Sequence, residues 1–258
     1  MNYPNLEELI KTIATLRSEN GCQWDREQTH QSLRKNMIEE AYEAVDAIDD
    51  NDAKHLQEEL GDVLLQVVLH SQIAKEMGEF DIESVAKQLN EKLIYRHPHV
   101  FGDVKVNGTA EILDNWEKLK QKEKSHRTSV MDGISRSQAA LMSAQKISKK
   151  AVKVGFEWPN EDSLWQCINS EFQEFKEAKT ADEKEDEFGD ILFAIVNLAR
   201  WNKIDAEQAL LRANKKFMTR FRKMEELATK DLEQHSFEEW DNLWKRAKKE
   251  ISETKMPL

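Results

Sequence analysis

The chain has 258 residues, 34% charged and 39% hydrophobic, the balance of a folded globular protein and too apolar for a disordered one. Its formal net charge of -11 argues against a nucleic-acid polymer or an anionic membrane surface as partner, since each calls for a basic face, while leaving room for a small phosphorylated ligand. The N-terminal stretch MNYPNLEELIKTIATLRSEN has no apolar signal core, nearly apolar runs such as Ile191 to Ala199 are too short to cross a bilayer, and Cys22 and Cys167 lack metal-type spacing, so a reduced cytoplasmic protein is expected.

With only 8 Gly and 4 Pro, and with Glu, Lys, Leu, Ala and Gln filling the long segments, the composition predicts an all-α fold. Leu6, Leu9, Ile10, Ile13 and Leu16 recur at helical spacing, and Asn20-Gly21 closes that helix with a residue that tolerates positive φ. The segment CQWDREQTH follows as a loop, with Trp24 expected to anchor it by packing. Helices are predicted over about 32–48, 53–77 and 82–96, the last ended by Pro98, and over about 110–124 after a loop containing Gly102 and Gly108. Polar residues 125–136 read as a linker.

Beyond that linker the order recurs. Trp158 sits in a loop as Trp24 does; Glu171 and Glu174 match Glu40 and Glu43; Glu187, Gly189 and Asp190 match Glu59, Gly61 and Asp62. NKKFMTR matches NEKLIYR, and Trp244 with Lys248 matches Trp116 with Lys120. The chain is therefore read as a tandem duplication of one helical unit, occupying 1–124 and 137–258.

One acidic pair three residues apart carries nothing in a chain with 49 acidic residues. The combination carries more. Residues i and i+3 share a helix face. Glu174 and Glu187 lie symmetrically about a turn near Thr180 to Asp182, and Glu43 and Glu59 lie symmetrically about Asn51. Folding each hairpin at its turn brings four carboxylates to one spot, where they repel unless a cation neutralises them. Hard oxygen ligands suit Mg2+ or Mn2+. Gly61 and Gly189 weaken otherwise strong helices, which a close approach by a neighbouring helix or a ligand would explain. Lys216 with Arg220, and Trp244 with Lys248, are i and i+4 pairs suited to phosphates and to an aromatic ligand. No Gly-rich phosphate loop, nucleophile elbow or Cys-His set is present.

The motifs EEAYE with EELGD, SEFQEF with DEFGD, and CQWDREQTHQSL resemble those of the MazG family of nucleoside triphosphate pyrophosphohydrolases, in its two-copy bacterial form. The resemblance implies an all-α fold in which each copy is a small helical bundle that pairs with another, usually in a homodimer. It also implies Mg2+-dependent hydrolysis of nucleoside triphosphates between the α and β phosphates, with broad base tolerance. On that pattern Glu171, Glu174, Glu187 and Asp190 are the catalytic, metal-holding residues. Lys184, Lys216 and Arg220 would bind phosphates, and Trp244 with Lys248 would help hold the nucleotide. The second copy is the expected catalyst, although it has Ser170-Glu171 where the first has Glu39-Glu40. The alternative is a non-catalytic helical module that binds a nucleotide or a protein.

Overall fold

The structure, a computed structural model, describes residues 3–123 and 128–254; positions 125–127 of the expected linker and Lys124 lie outside the described residues. The chain divides into two compact units, Met1–Ser125 and His126–Leu258. The first contains α1 (Pro4–Leu16), α2 (Gln23–Glu27), α3 (Arg34–Asp49), α4 (Ala53–Glu76), α5 (Ile82–Arg96), α6 (Pro98–Phe101) and α7 (Thr109–Glu123). The second contains α8 (Ala140–Val152), α9 (Glu161–Glu177), α10 (Ala181–Trp201), α11 (Ala206–Leu227), a 3-10 turn (Leu232–Gln234) and α12 (Phe237–Thr254). No strand occurs among the described residues, and none of their helices is long and apolar enough to cross a membrane.

Each unit is built on an antiparallel hairpin, α3 with α4 and α9 with α10. The turns are fixed by local chemistry. Asn51 takes a left-handed backbone (φ 55°), which asparagine tolerates, and Asp52 caps α4 by accepting from the N–H groups of Lys54 and His55. In the second unit Thr180 accepts from the Glu183 N–H while the Glu183 carboxylate accepts from Thr180 N–H, a reciprocal cap on α10.

The apolar cores lie towards the ends of the hairpins remote from these turns. Ile13, Leu33, Val68, Leu69 and Ile73 form the first; Leu164, Ile168 and Ala194 form the second, with Trp158, Leu198 and Trp201 against them. A third cluster, Met224, Leu243 and Ala247, joins α11 to α12. Truncating a fully buried leucine such as Leu164 removes about 2–5 kcal/mol. Polar staples complete the second unit: Gln145 on α8 donates to the Ile204 carbonyl at 2.6 Å and accepts from the Ala206 N–H at 3.0 Å, so α8 holds the α10–α11 turn. The Ser148 hydroxyl meets Asn197 Oδ1 at 2.6 Å in the same interface. Lys150 donates to the carbonyls of Val130 and Asp132 at 2.6 and 2.9 Å, tying part of the expected linker to α8.

Two sequence expectations change. Gly21 is required for space, because a Cβ there would lie 2.2 Å from the Leu16 carbonyl oxygen, not for a left-handed backbone. Trp24 does not pack as an anchor: it lies on the short helix α2, 58% exposed, and the segment is held instead by Arg17, whose Nη1 donates to the carbonyls of Asp25 and Gln28. Trp158 does pack on its hairpin core.

Arg200 on α10 makes a bidentate pair with Glu157, both N–H···O distances 2.6 Å, joining the hairpin to the α8–α9 loop. The guanidinium holds the Glu157 carboxyl below its ordinary range. A carboxyl whose folded pKa is depressed contributes stability above its unfolded pKa and loses it as pH falls through the folded one. Urea unfolding of Glu157→Gln is therefore expected to show a loss of about 1–3 kcal/mol at neutral pH. That gap to the wild type should close in acid.

Candidate active site

The acidic residues sit on facing helices of the hairpins, and in the second unit they adjoin the core on the side of the turn, Glu171 one helical turn after Ile168 and Asp190 one before Ala194. In the second unit one carboxylate oxygen each from Glu171, Glu187 and Asp190 lies within 4.8 Å of the others. Glu174 is one turn along from Glu171 and accepts from the Ser170 hydroxyl at 2.9 Å. Burial, then Glu174, Asp190, Glu171 and Asp186, push the Glu187 carboxyl above its ordinary pKa. In the first unit Glu40, Glu43 and Glu59 converge within the same 4.8 Å limit. Burial, then Asp62, Glu43, Glu59 and Glu39, raise Glu40 likewise.

Glu59 gives a direct test of whether a cation fits. It is 7% exposed; His55 Nε2 meets its Oε1 at 2.9 Å, and its Oε2 has no hydrogen-bond partner among the described residues. A buried carboxylate oxygen without a partner is costly, and a cation shared with Glu40 and Glu43 would satisfy it. The donor sets, all carboxylate oxygens, are of the kind hard divalent ions take.

Of the candidate cations of the second unit, Lys184 is on α10 and the others lie on α11 and α12. Arg220 on α11 stands 5.5 Å from the ring centre of Trp244 on α12, and Phe217 packs on the same indole at 5.2 Å. Trp244 is half-buried against the Met224, Leu243 and Ala247 cluster, so it serves as a fixed platform for the guanidinium. Lys216 lies one turn before Arg220, and Lys248 one turn after Trp244; both are exposed. Lys184 is exposed near the start of α10, one turn before Glu187. The side chains of Lys184, Lys216 and Lys248 make no hydrogen bond or ion pair among the described residues. The structure thus brings together the three carboxylates, and separately Arg220 with Trp244. It shows no polar contact between the two groups among the described residues.

The helical glycines answer differently from expectation. A Cβ added at Gly61 or Gly189 would meet nothing within 4 Å, so no neighbouring helix of either unit requires them. Open space beside the acidic cluster is what they leave.

Sequence reasoning passed over several residues at these sites. His55, one turn before Glu59, was visible as an i, i+4 pair. Cys167, one turn before Glu171, places its Sγ 3.5 Å from Glu171 Oε1, and burial followed by that carboxylate raises the thiol pKa. Glu123, which pairs with Arg96 across α5 and α7, has no local sequence signal, because the partners are far apart in the chain.

Comparison with known proteins places this geometry in a family. The MazG nucleotide pyrophosphohydrolase domain matches residues 28–101 and 160–224, the hairpin and following helix of each unit. The chain is 48% identical over 246 residues to the nucleoside triphosphate pyrophosphohydrolase/pyrophosphatase MazG of Thermotoga maritima, spanning 94% of this chain and 95% of that one. It is 40% identical over 256 residues to the nucleoside triphosphate pyrophosphohydrolase of Escherichia coli, with 95% and 97% covered. To the uncharacterized protein YabN of Bacillus subtilis it is 47% identical over 254 residues, which cover 95% of this chain and 52% of YabN. With two matched segments, and relatives aligned along nearly their whole length, the chain belongs to the MazG family.

Proposed function

We propose that this protein is a Mg2+-dependent nucleoside triphosphate pyrophosphohydrolase, acting from its second unit as part of a homodimer in the cytoplasm. The observation that carries the reading is the convergence of Glu171, Glu187 and Asp190 within 4.8 Å, with Glu174 one turn away. Family membership and the names of the Thermotoga maritima and Escherichia coli relatives support it.

Glu171, Glu174, Glu187 and Asp190 would hold the ion, Mg2+ or, with the same ligands, Mn2+. When bound, a divalent cation offsets phosphate charge and lowers the pKa of water. A carboxylate of the set, Glu174 or Glu187, takes the proton of a water whose oxygen attacks the α phosphorus. The bond from that phosphorus to the α–β bridging oxygen breaks, and pyrophosphate leaves with the electron pair. Arg220, Lys216, Lys248 and Lys184 meet the charge on the β and γ phosphates. Trp244 acts through Arg220 by holding the guanidinium in place. All these groups address phosphate or metal and none reads a base edge, which is why broad base tolerance belongs to the proposal.

The dimer rests on uncovered apolar surface. On α9 and α10 Phe172, Phe188, Leu192 and Ile195 are exposed, as are Ile38, Tyr42, Leu60 and Leu64 on α3 and α4. Apolar faces of this extent on helical hairpins call for a partner, and a second copy presents the same face.

Glu187→Gln and Asp190→Asn are each expected to lower the rate of pyrophosphate release about 10²–10⁴-fold with circular dichroism unchanged. Full activity in either variant would contradict the reading. Thermal denaturation at neutral pH should shift upward with Mg2+ or Mn2+ and return with a chelator, because the ion relieves the repulsion among the four carboxylates; an unmoved transition would count against a cation site. Leu192→Glu, which places a charge on the exposed face of α10, should sediment as a monomer where the wild type sediments as a dimer.

A further inference from the structure

The two units repeat one cation platform but surround it with different charges. In the first, Arg96 lies 5.4 Å from the centre of the Trp116 ring and Lys120 lies 4.8 Å from it, the arrangement that Arg220 makes with Trp244 in the second. Arg96, however, is already engaged. Its Nε donates to both oxygens of Glu123, at 3.0 and 3.1 Å, and its Nη2 donates to Glu123 Oε2. The Arg96 side chain is only 10% exposed, and Glu123 raises its pKa further. Lys120 has Glu117 at 3.7 Å. Carrying the Trp116-to-Trp244 spacing forward, Glu117 becomes Lys245 and Glu123 becomes Ile251. Among the described residues no carboxylate pairs with Lys216, Arg220 or Lys248.

A guanidinium grips a carboxylate and a phosphate with the same fork of N–H donors, so one excludes the other from those donors. Around Trp116 Arg96 and Lys120 each face an acid; around Trp244, among the described residues, Arg220, Lys216 and Lys248 have no carboxylate partner and an anion finds an attractive field. We propose that Glu123 fills the phosphate slot of the first unit, standing where an outer phosphate would sit, so that only the second unit takes up a nucleoside triphosphate. This rests on the pyrophosphohydrolase reading and assigns the difference between the copies to one internal ion pair. The first unit keeps its acidic cluster but has its anion grip closed from within, and Glu123 is the residue that sets which copy binds.

The test is calorimetric titration of the full-length chain with the α,β-methylene analogue of ATP in Mg2+. The wild type should bind one equivalent per chain and Arg220→Ala none. Glu123→Ala should bind two, its first-unit site gaining at least about tenfold in affinity, and Glu123→Ala combined with Arg220→Ala should bind one. Glu123→Gln, which keeps the packing volume of the side chain, serves as the second variant, and circular dichroism checks the fold of each. Two equivalents bound by the wild type would overturn the inference, as would one equivalent bound by folded Glu123→Ala and Glu123→Gln chains, in both cases with pyrophosphate release intact. If the wild type neither binds the analogue nor releases pyrophosphate from ATP, the functional reading falls and this inference with it.

Discussion

The constraint on which this structure depends is electrostatic: carboxylates on two antiparallel helices are held within a few ångströms of one another against their mutual repulsion. Like charges one helical turn apart destabilise a helix by about 0.2–0.5 kcal/mol per pair, and a facing helix adds to that. Apolar packing supplies the force that opposes this repulsion. Apolar packing clamps the hairpins at one end, through Val68, Leu69 and Ile73 in the first unit and Leu164, Ile168 and Ala194 in the second. In the second unit the acidic residues adjoin that core, Glu171 one helical turn from Ile168 and Asp190 one from Ala194, so the charges are fixed by the apolar packing beside them. Such a site gains from a cation, and burial followed by the neighbouring carboxylates raises the pKa of Glu40 and Glu187.

Duplication has let the copies diverge around the same scaffold. Both retain the acidic cluster, but their surroundings differ in ways that bear on chemistry. The first has a nearly buried Glu59 with a histidine on one oxygen; the second has a more open Glu187, an exposed Asp190 and a thiol against Glu171. On the cation side the first unit pairs Arg96 with Glu123 and sets Lys120 beside Glu117, while the second leaves Arg220 on its indole platform and Lys216 and Lys248 in solvent. On the proposed reading the acids serve metal and the cations serve phosphate, so a copy needs both open to act on a triphosphate.

Much of the fold was legible because it is written locally. Helical periodicity, the Asp52 and Thr180 caps and the turn at Asn51 fix the hairpins within a residue or two, and equal spacing about the turns suffices to bring Glu171 to Glu187 and Asp190. The short helices α2 and α6 were missed, being too brief to carry a period. Features made by distant residues were also missed: the Arg200 clamp on Glu157, the Gln145 staple and the Arg96–Glu123 pair join parts of the chain that no spacing rule connects. Gly21 and Gly189 show a subtler limit. A glycine in sequence marks some backbone need, but whether that need is conformation, close approach or open surface is settled only by its neighbours.

The central claim, that the hairpin carboxylates form a cage for a divalent ion, is tested most directly by anomalous diffraction from crystals grown with Mn2+. The account predicts a peak bounded by Glu171, Glu187 and Asp190, lost in crystals of Asp190→Asn. Peaks confined to other parts of the surface, with these side chains turned apart into solvent, would contradict it.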